Sequence, residues 1–367
     1  MKVALVYDRV NKFGGAERVI GSLHKIFPEA PLFTLVHEPK SAPWADKFTV
    51  IPSFVNSLPF FKKHHEWLPP LSSMAFETLS LEGYDVIISI TSSDAKAVLT
   101  KPNQVHICYC LTPNRYFWSG QGEYQNDIKF KLIPRWLSDY FRTADLLIST
   151  RPDHYLAISN EVKNRISKYY HQDSTVIYPS IDDKFYSTNL VPLSTRKYYL
   201  IVGRLVPYKK VDLAIKTFNK LKLPLFVVGS GSEEKKLRQM AGSNIKFVGS
   251  VDDDRLIDLY RHAKALIFPQ EEDYGLVPLE AQACGTPIIA YAKGGALETV
   301  VSDQTGLFFR HQTTLSLANA VKKFEKMKFS PESCFKNASL FREEIFLNTF
   351  LSQVNQLWLD HLTNSSG

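Results

Sequence analysis

The stretch "YYLIVGRLVPYKKVDLAIKTFNKLKLPLFVVGSGS" (residues 198–232) decides the fold. An apolar run of strand length leads into a glycine turn that carries Arg204 and Lys209. A helix-period segment, "VDLAIKTFNKL", follows, and then a second apolar run and a second glycine-rich turn. The strands read as continuous Val, Ile and Leu rather than as an apolar–polar alternation, which suits parallel strands covered on both faces.

The same alternation extends both ways. Downstream come "EEKKLRQMA", "IKFVGSV", "DDRLIDLYRHA" and "ALIFPQ". Upstream, "KVALVYD" precedes "GGAERVIGSLHKIF", "YDVIISI" precedes "DAKAVL" and "VHICYCL", and "HYLAISN" precedes "EVKNRISKYY" and "STVIYP". This order predicts an α/β fold of doubly wound, Rossmann-like sheets. The periodicity lapses over "YPSIDDKFYSTNLVPLSTRK" (178–197), where Pro, Ser, Asp and Asn gather as in a linker. The expected division is an N-terminal domain over 1–190 and a C-terminal domain over 191–345. Residues 346–367 form a last helix, free to return to the first domain, and a polar tail. Two such domains leave a cleft between the carboxyl ends of their strands, where ligands bind.

Composition narrows the function. The chain has 367 residues, 44% hydrophobic and 22% charged, an ordinary globular balance. No apolar run is long enough to span a bilayer, and "MKVALVYDRV" reads as a first strand rather than a signal peptide. Cys108, Cys110, Cys284 and Cys334 lack zinc-type spacing and suit reduced thiols in a cytoplasmic protein. A net charge of +7 favours an anionic partner. Without a long Lys/Arg block, zinc finger or RNP-type motif, nucleic acid ranks below a phosphorylated substrate or a membrane surface.

Three motifs sit just after predicted strands. In "FGGAERV", Gly14 and Gly15 would let backbone N–H groups approach a phosphate at a helix start; a plain tight turn explains them as well. In "VGRLVPYKK", Arg204 and Lys209 suit a diphosphate held without a metal, or are solvated cations before a helix. In "FPQEEDYGLVPLEAQACGTPIIAYAKGG" (268–295), Glu272 lies on a short loop and Glu280 one turn into the next helix. Glu280 could accept hydrogen bonds from a ribose diol, and the N–H groups of Gly275, Leu276 and Val277 would face an anion. Helix-start electrostatics explains Glu271 or Asp273, but not a Glu among Leu279, Ala281 and Ala283.

Together these motifs resemble the retaining glycosyltransferases of family 4, which have the GT-B fold. "EDYGLVPLE" is similar to the family's E-x7-E motif, "VGRLVPYKKVD" to its "VGRLxxxKGxD", and "YDRVNKFGGAERV" to its N-terminal glycine loop. "GSGSEEKKLRQMA", "FVGSVDDDRLIDLY" and "AYAKGGALETV" extend the likeness over nearly the whole chain. "AFETLSLEGYDVIISITSSDAKAV" and "VHICYCLTPNRYFW" resemble the mannosyltransferase branch of bacterial surface-polysaccharide synthesis. Two departures stand out: Leu111 where many members have His, and Lys210 where the family usually has Gly.

The resemblance implies Glu272, Arg204 and Lys209 as the catalytic set. Gly14, Gly15, Gly275, Leu276, Val277 and Glu280 would join them in donor binding, with residues 248–252 beside the base. It implies transfer of a hexose, foremost mannose from GDP-mannose, to a glycan or lipid-linked glycan, with no cofactor and no metal. "DDD" at 252–254 reads as a helix start rather than a metal motif. A UDP-sugar donor is the first alternative, and a non-catalytic sugar-nucleotide-binding protein the second. A dehydrogenase would need a GxGxxG turn that the sequence lacks. Residues 54–71, "FVNSLPFFKKHHEWLPPL", interleave Phe54, Phe60, Phe61 and Trp67 with Lys62 and Lys63. They suit peripheral contact with the inner face of a membrane, or a loop that packs its aromatics inward. His106 reads as structural, while Arg115 and Tyr116 are candidates to face the cleft.

Overall fold

The computed structural model describes residues 1–58, 69–115, 117–118, 134–186 and 189–365. The chain divides into two compact units, Met1–Pro179 with Phe346–Gly367, and Ser180–Ile345.

The first unit runs β1 (Val3–Tyr7), α1 (Gly15–Ile26), β2 (Leu32–Thr34), β3 (Val50–Pro52), α2 (Pro69–Glu77), β4 (Val86–Thr91), β5 (Val105–Cys110), α3 (Arg135–Ile148), β6 (His154–Ala157), α4 (Asn160–Tyr170) and β7 (Thr175–Val176). Its strands pair in parallel in the order β3-β2-β1-β4-β5-β6-β7. Every residue of β1, β4 and β5 is buried, as their unbroken apolar runs require.

The second unit runs β8 (Tyr198–Val202), α5 (Val211–Leu221), β9 (Leu225–Val228), α6 (Glu234–Met240), β10 (Ile245–Gly249), α7 (Asp253–His262), β11 (Ala263–Phe268), α8 (Leu276–Ala283), β12 (Ile288–Tyr291), α9 (Ala296–Thr299), β13 (Gly306–Phe309), α10 (Thr314–Phe324) and α11 (Pro331–Ala338). Its parallel order is β10-β9-β8-β11-β12-β13. A core of Tyr199, Ile201, Ile215, Phe218, Ile267 and Leu317 joins sheet and helices. The last helix, α12 (Glu343–Ser365), belongs to the first unit from Phe346 onward. There Phe346, Phe350 and Val354 form a buried i, i+4, i+8 stripe, and both phenylalanine rings lie against Tyr109.

Three features differ from the sequence expectation. The units divide after Pro179, ten residues or so before the expected boundary near 190. The cause is that Ile181 and Phe185 are buried and Phe185 packs edge-on against Tyr260 of the second unit. Further along the linker, Arg196 is also buried, donating to the carbonyls of Val191, Ala263 and Gly285 and to the Thr286 hydroxyl. Second, "DAKAVL" forms only a 3-10 turn, Ala95–Ala97, because Asp8 draws the N–H groups of Ser92, Asp94 and Ala95 onto its carboxylate. Third, α12 runs through Ser365, past the start of the polar tail. Among the described residues no helix is long and apolar enough to cross a membrane.

The winding of the first sheet reverses between β1 and β4, and a buried ionic cluster fills that point. Lys96 pairs with Asp145 at 2.7 Å, with both side chains almost fully buried. Asp145 also accepts from Trp118 Nε1 at 2.6 Å and from the Tyr170 hydroxyl at 2.9 Å. Burial alone would lower the Lys96 pKa, but Asp145 and Asp94 outweigh it and hold the ammonium above its ordinary value. Asp94 is less well served: burial raises its carboxyl to about 6, against the pull of Lys96.

Because that value exceeds the ordinary 3.8, the folded chain binds this proton more tightly than the unfolded chain does, and stability falls as pH rises between the two. Asp94→Asn removes the dependence. Urea melts from pH 4 to pH 7 should show the variant gaining about 2–3 kcal/mol on the parent over that range. A difference independent of pH would mean that Asp94 ionises alike in both states.

Candidate sugar-nucleotide site

In the second unit the winding reverses between β8 and β11. Helix α5 leads from β8 to β9 on one side, and α8 leads from β11 to β12 on the other. Ligands of open α/β sheets bind at such a point, outside the carboxyl ends of the strands. Two loops meet there, Gly203–Lys210 after β8 and Pro269–Gly275 after β11.

The first loop carries the predicted cations. Pro207–Lys209 close a 3-10 turn, which raises Lys209 beside the strand end. Arg204 is exposed and donates from Nη2 to the Tyr208 hydroxyl at 2.8 Å. The Lys209 ammonium lies 5.2 Å from the centre of the same ring, so Tyr208 stands between the two cations. Sequence reasoning missed Tyr208, although it sits inside the quoted motif, four residues from Arg204. The turn ends at Lys210, whose φ is +53°. That left-handed backbone is where the family-like motif has Gly, since only Gly adopts it without crowding Cβ.

The second loop carries Glu272, and the two loops are joined by an ion pair between Lys209 Nζ and Glu272 Oε1. The side chains are 14% and 19% exposed, so the pair is largely shielded from water. Gly294 and Gly295, after β12, hold the loop from behind. The Gly295 N–H donates to the Glu272 carbonyl at 2.8 Å. A Cβ on Gly294 would stand 2.3 Å from that carbonyl oxygen, and one on Gly295 2.1 Å from the Tyr274 oxygen. No other residue fits there without moving the Glu272 backbone.

Gly275, at φ +106°, turns the chain into α8, so the N–H groups of Leu276 and Val277 lie in its first turn. Glu280 follows one turn in and is buried at 6% exposure, with one oxygen accepting from the buried Tyr260 hydroxyl at 3.1 Å. It is set deeper than Glu272, because α8 buries every residue from Pro278 to Ala283. Tyr260 is a partner that the sequence does not signal, since it lies on α7 in an amphipathic pattern. Asp252 caps α7 by accepting from the Arg255 N–H at 2.8 Å, which makes 252–254 a helix start.

In the first unit, Gly14 precedes α1 and Gly15 is its first residue. The side chain near Gly14 is the buried Glu17 carboxylate, which accepts from the Tyr7 hydroxyl at 2.6 Å. His106 is fully buried, pushed down to about 3 by burial, and 2.8 Å from Ser89 Oγ, which places it in the core. Leu111 extends β5, donating its N–H to the Thr91 carbonyl at 2.8 Å. Arg115 is half-buried, whereas Tyr116 lies outside the described residues. So do Phe60, Phe61, Lys62, Lys63 and Trp67 of the 54–71 stretch; Phe54 is described and exposed.

Residues 182–341, most of the second unit, match the family model of glycosyl transferases group 1. The chain is 25% identical over 219 residues to an uncharacterised glycosyltransferase of Methanocaldococcus jannaschii, covering 54% of this chain and 61% of that protein. It is 38% identical over 121 residues to a GDP-mannose-dependent monoacylated alpha-(1-6)-phosphatidylinositol monomannoside mannosyltransferase of Corynebacterium glutamicum, covering 29% of this chain and 32% of that one. Each match thus spans less than two thirds of the relative.

Solved structures match over nearly the full length. Sucrose-phosphate synthase of Thermosynechococcus elongatus has a TM-score of 0.74 at 19% identity, covering 98% of this chain and 100% of its own. Anabaena HepE in complex with UDP has a TM-score of 0.71 at 17% identity, covering 97% and 100%. The two Rossmann-like units and these neighbours identify the fold as GT-B. The family likeness thus lies in residues 182–341, and the full-length likeness is one of fold.

Lys210→Gly relieves the left-handed strain at the cost of some chain entropy. It should raise stability by about 0.5–1 kcal/mol in urea melts. A loss of stability would show that the Lys210 side chain makes up for its backbone.

Proposed function

We infer that the chain is a retaining glycosyltransferase that moves a hexose from a nucleotide sugar to a glycan or lipid-linked glycan. The observation that carries this reading is the meeting of Lys209 and Glu272 at the switch point, with Arg204 alongside and the start of α8 behind. The donor's diphosphate takes Arg204, Lys209 and the N–H groups of Gly275, Leu276 and Val277. Its ribose reaches Glu280 at the buried end, and hydroxyls of the transferred sugar reach Glu272.

The chemistry follows from these groups. The bond between the anomeric carbon and the diphosphate oxygen breaks, and the electron pair leaves on the diphosphate. Arg204 and Lys209 stabilise that charge where it develops, so neither a metal nor a cofactor is required. The acceptor oxygen attacks from the same face, and its proton passes to the departing phosphate oxygen. Glu272, tied to Lys209, positions the sugar and is not a covalent nucleophile. A double displacement would need a second carboxylate beside the reaction centre.

GDP-mannose is the first donor, on the strength of the GDP-mannose-dependent relative. A UDP-sugar is the second reading, favoured by the full-length neighbour that binds UDP. The chain would act in the cytoplasm, with residues 54–71 as its membrane contact when the acceptor is lipid-linked. A non-catalytic nucleotide-sugar-binding role stays as the reading to beat, given Leu111.

A thermal-shift panel of GDP, GDP-mannose, UDP, UDP-glucose and NAD, run in EDTA, tests the site, because a ligand of the folded state must raise its stability. One nucleotide family should stabilise the protein and NAD should not. Loss of the shift on removing metal would overturn the metal-free reading.

With the donor so identified, Arg204→Ala and Glu272→Ala should each lower kcat/KM by about 10²–10³-fold. NMR of the first-formed product should show the donor's anomeric configuration. An inverted product, or an unchanged rate in Glu272→Ala, would remove the mechanism.

A further inference from the structure

We propose that Glu272 competes with the donor's diphosphate for Lys209, and that this competition makes the site select intact nucleotide sugar over nucleoside diphosphate. The proposal rests on the sugar-nucleotide reading above and goes beyond it.

Among the described residues, Glu272 is the one acid paired with Lys209, and Lys209 is the one side-chain partner of Glu272. A diphosphate that takes the ammonium therefore breaks this pair. Glu272 is then a carboxylate at 19% exposure, beside a new anion and without its counter-charge. Such a group is costly, both through lost solvation and through like-charge repulsion. Its backbone cannot withdraw, since its carbonyl is held by the Gly295 N–H and Gly294 backs the loop too closely for a shift.

An intact nucleotide sugar offers a remedy that a nucleoside diphosphate lacks. Its sugar hydroxyls donate to Glu272 and restore hydrogen bonds to the unpaired carboxylate. The product, with the sugar gone, leaves Glu272 facing phosphate alone. Glu272 then favours return to the Lys209 pair, which lowers product affinity and promotes release. Arg204 takes no part in the exchange. It is exposed and, among the described residues, hydrogen-bonds only the neutral Tyr208 hydroxyl, so it meets donor and product diphosphates alike.

Calorimetric titration of the full chain and of Glu272→Gln with UDP, GDP, UDP-glucose and GDP-mannose tests this. The amide keeps the shape and can still bond a hydroxyl, but does not compete for an ammonium. For whichever base the parent binds, the variant should bind the nucleoside diphosphate about tenfold tighter, about 1.4 kcal/mol. Its affinity for the intact nucleotide sugar should rise less or fall, so the preference of the parent for nucleotide sugar collapses. Glu272→Ser gives the same reading if the Gln variant does not fold. Unchanged or weaker diphosphate binding in both variants overturns the competition while leaving the site assignment standing. A parent that binds none of the four overturns the sugar-nucleotide reading and the competition with it.

Discussion

Lys209 and Glu272 lie 63 positions apart in the chain, and the pairing of β8 with β11 is what brings them together. Two parallel neighbours whose connections leave in opposite directions must open a crevice at their carboxyl ends. The loops that rim it end in helices α5 and α8, so their short spans have little freedom. The 3-10 turn at Pro207–Lys209 and the glycine-backed Glu272 loop convert this geometry into a placed cation and a placed carboxylate. Each charge is mostly shielded from water, so each depends on the other or on a ligand that takes its place.

The two switch points treat charge differently. In the first unit, Asp8 is surrounded by N–H and hydroxyl donors, and Lys96 is enclosed by Asp145, the Ser93 carbonyl and the Tyr170 ring. That network ties the loops after β4 and β5 to helices α3 and α4 through Trp118 and Tyr170. It stiffens its surroundings and holds Lys96 away from any ligand. In the second unit, Arg204 stays in water with a neutral neighbour, and Lys209 has, among the described residues, one acid partner. The same architecture thus carries a closed ionic cluster in one unit and an open one in the other.

Much of this was legible in the chain itself, because buried parallel strands need unbroken apolar runs and the intervening helices need a 3.6-residue period. Arg204, Lys209 and Glu272 fall in the loops past strand ends, and Glu280 in the helix that follows, where the α/β pattern alone directs attention. What was not legible depends on distance in sequence. The Lys209–Glu272 pair, the Tyr260–Glu280 contact and the seat of Gly294 and Gly295 against the 272–274 backbone each join segments that no local period connects. Strands β2 and β3 are three residues each, too short for a period to register. The true division after Pro179 was hidden by a linker of polar composition whose Phe185 and Arg196 are nonetheless buried.

The division of labour between the two cations follows from their chemistry. A guanidinium is planar and offers its donors in a rigid fork, so it suits a fixed, bidentate grip on phosphate oxygens. Arg204, steadied by Tyr208 and paired with no carboxylate among the described residues, fits that part. An ammonium is a compact charge on a flexible stem, with donors that turn to whichever anion is nearest. On the proposed reading, Lys209 needs only to swing between Glu272 and the donor's diphosphate. With the residues interchanged, an Arg at 209 would lock onto Glu272 through two parallel bonds and resist the exchange. A Lys at 204 would lose both the fork and the orientation that Tyr208 provides. The order Arg then Lys along the loop therefore matters as much as the presence of two positive charges.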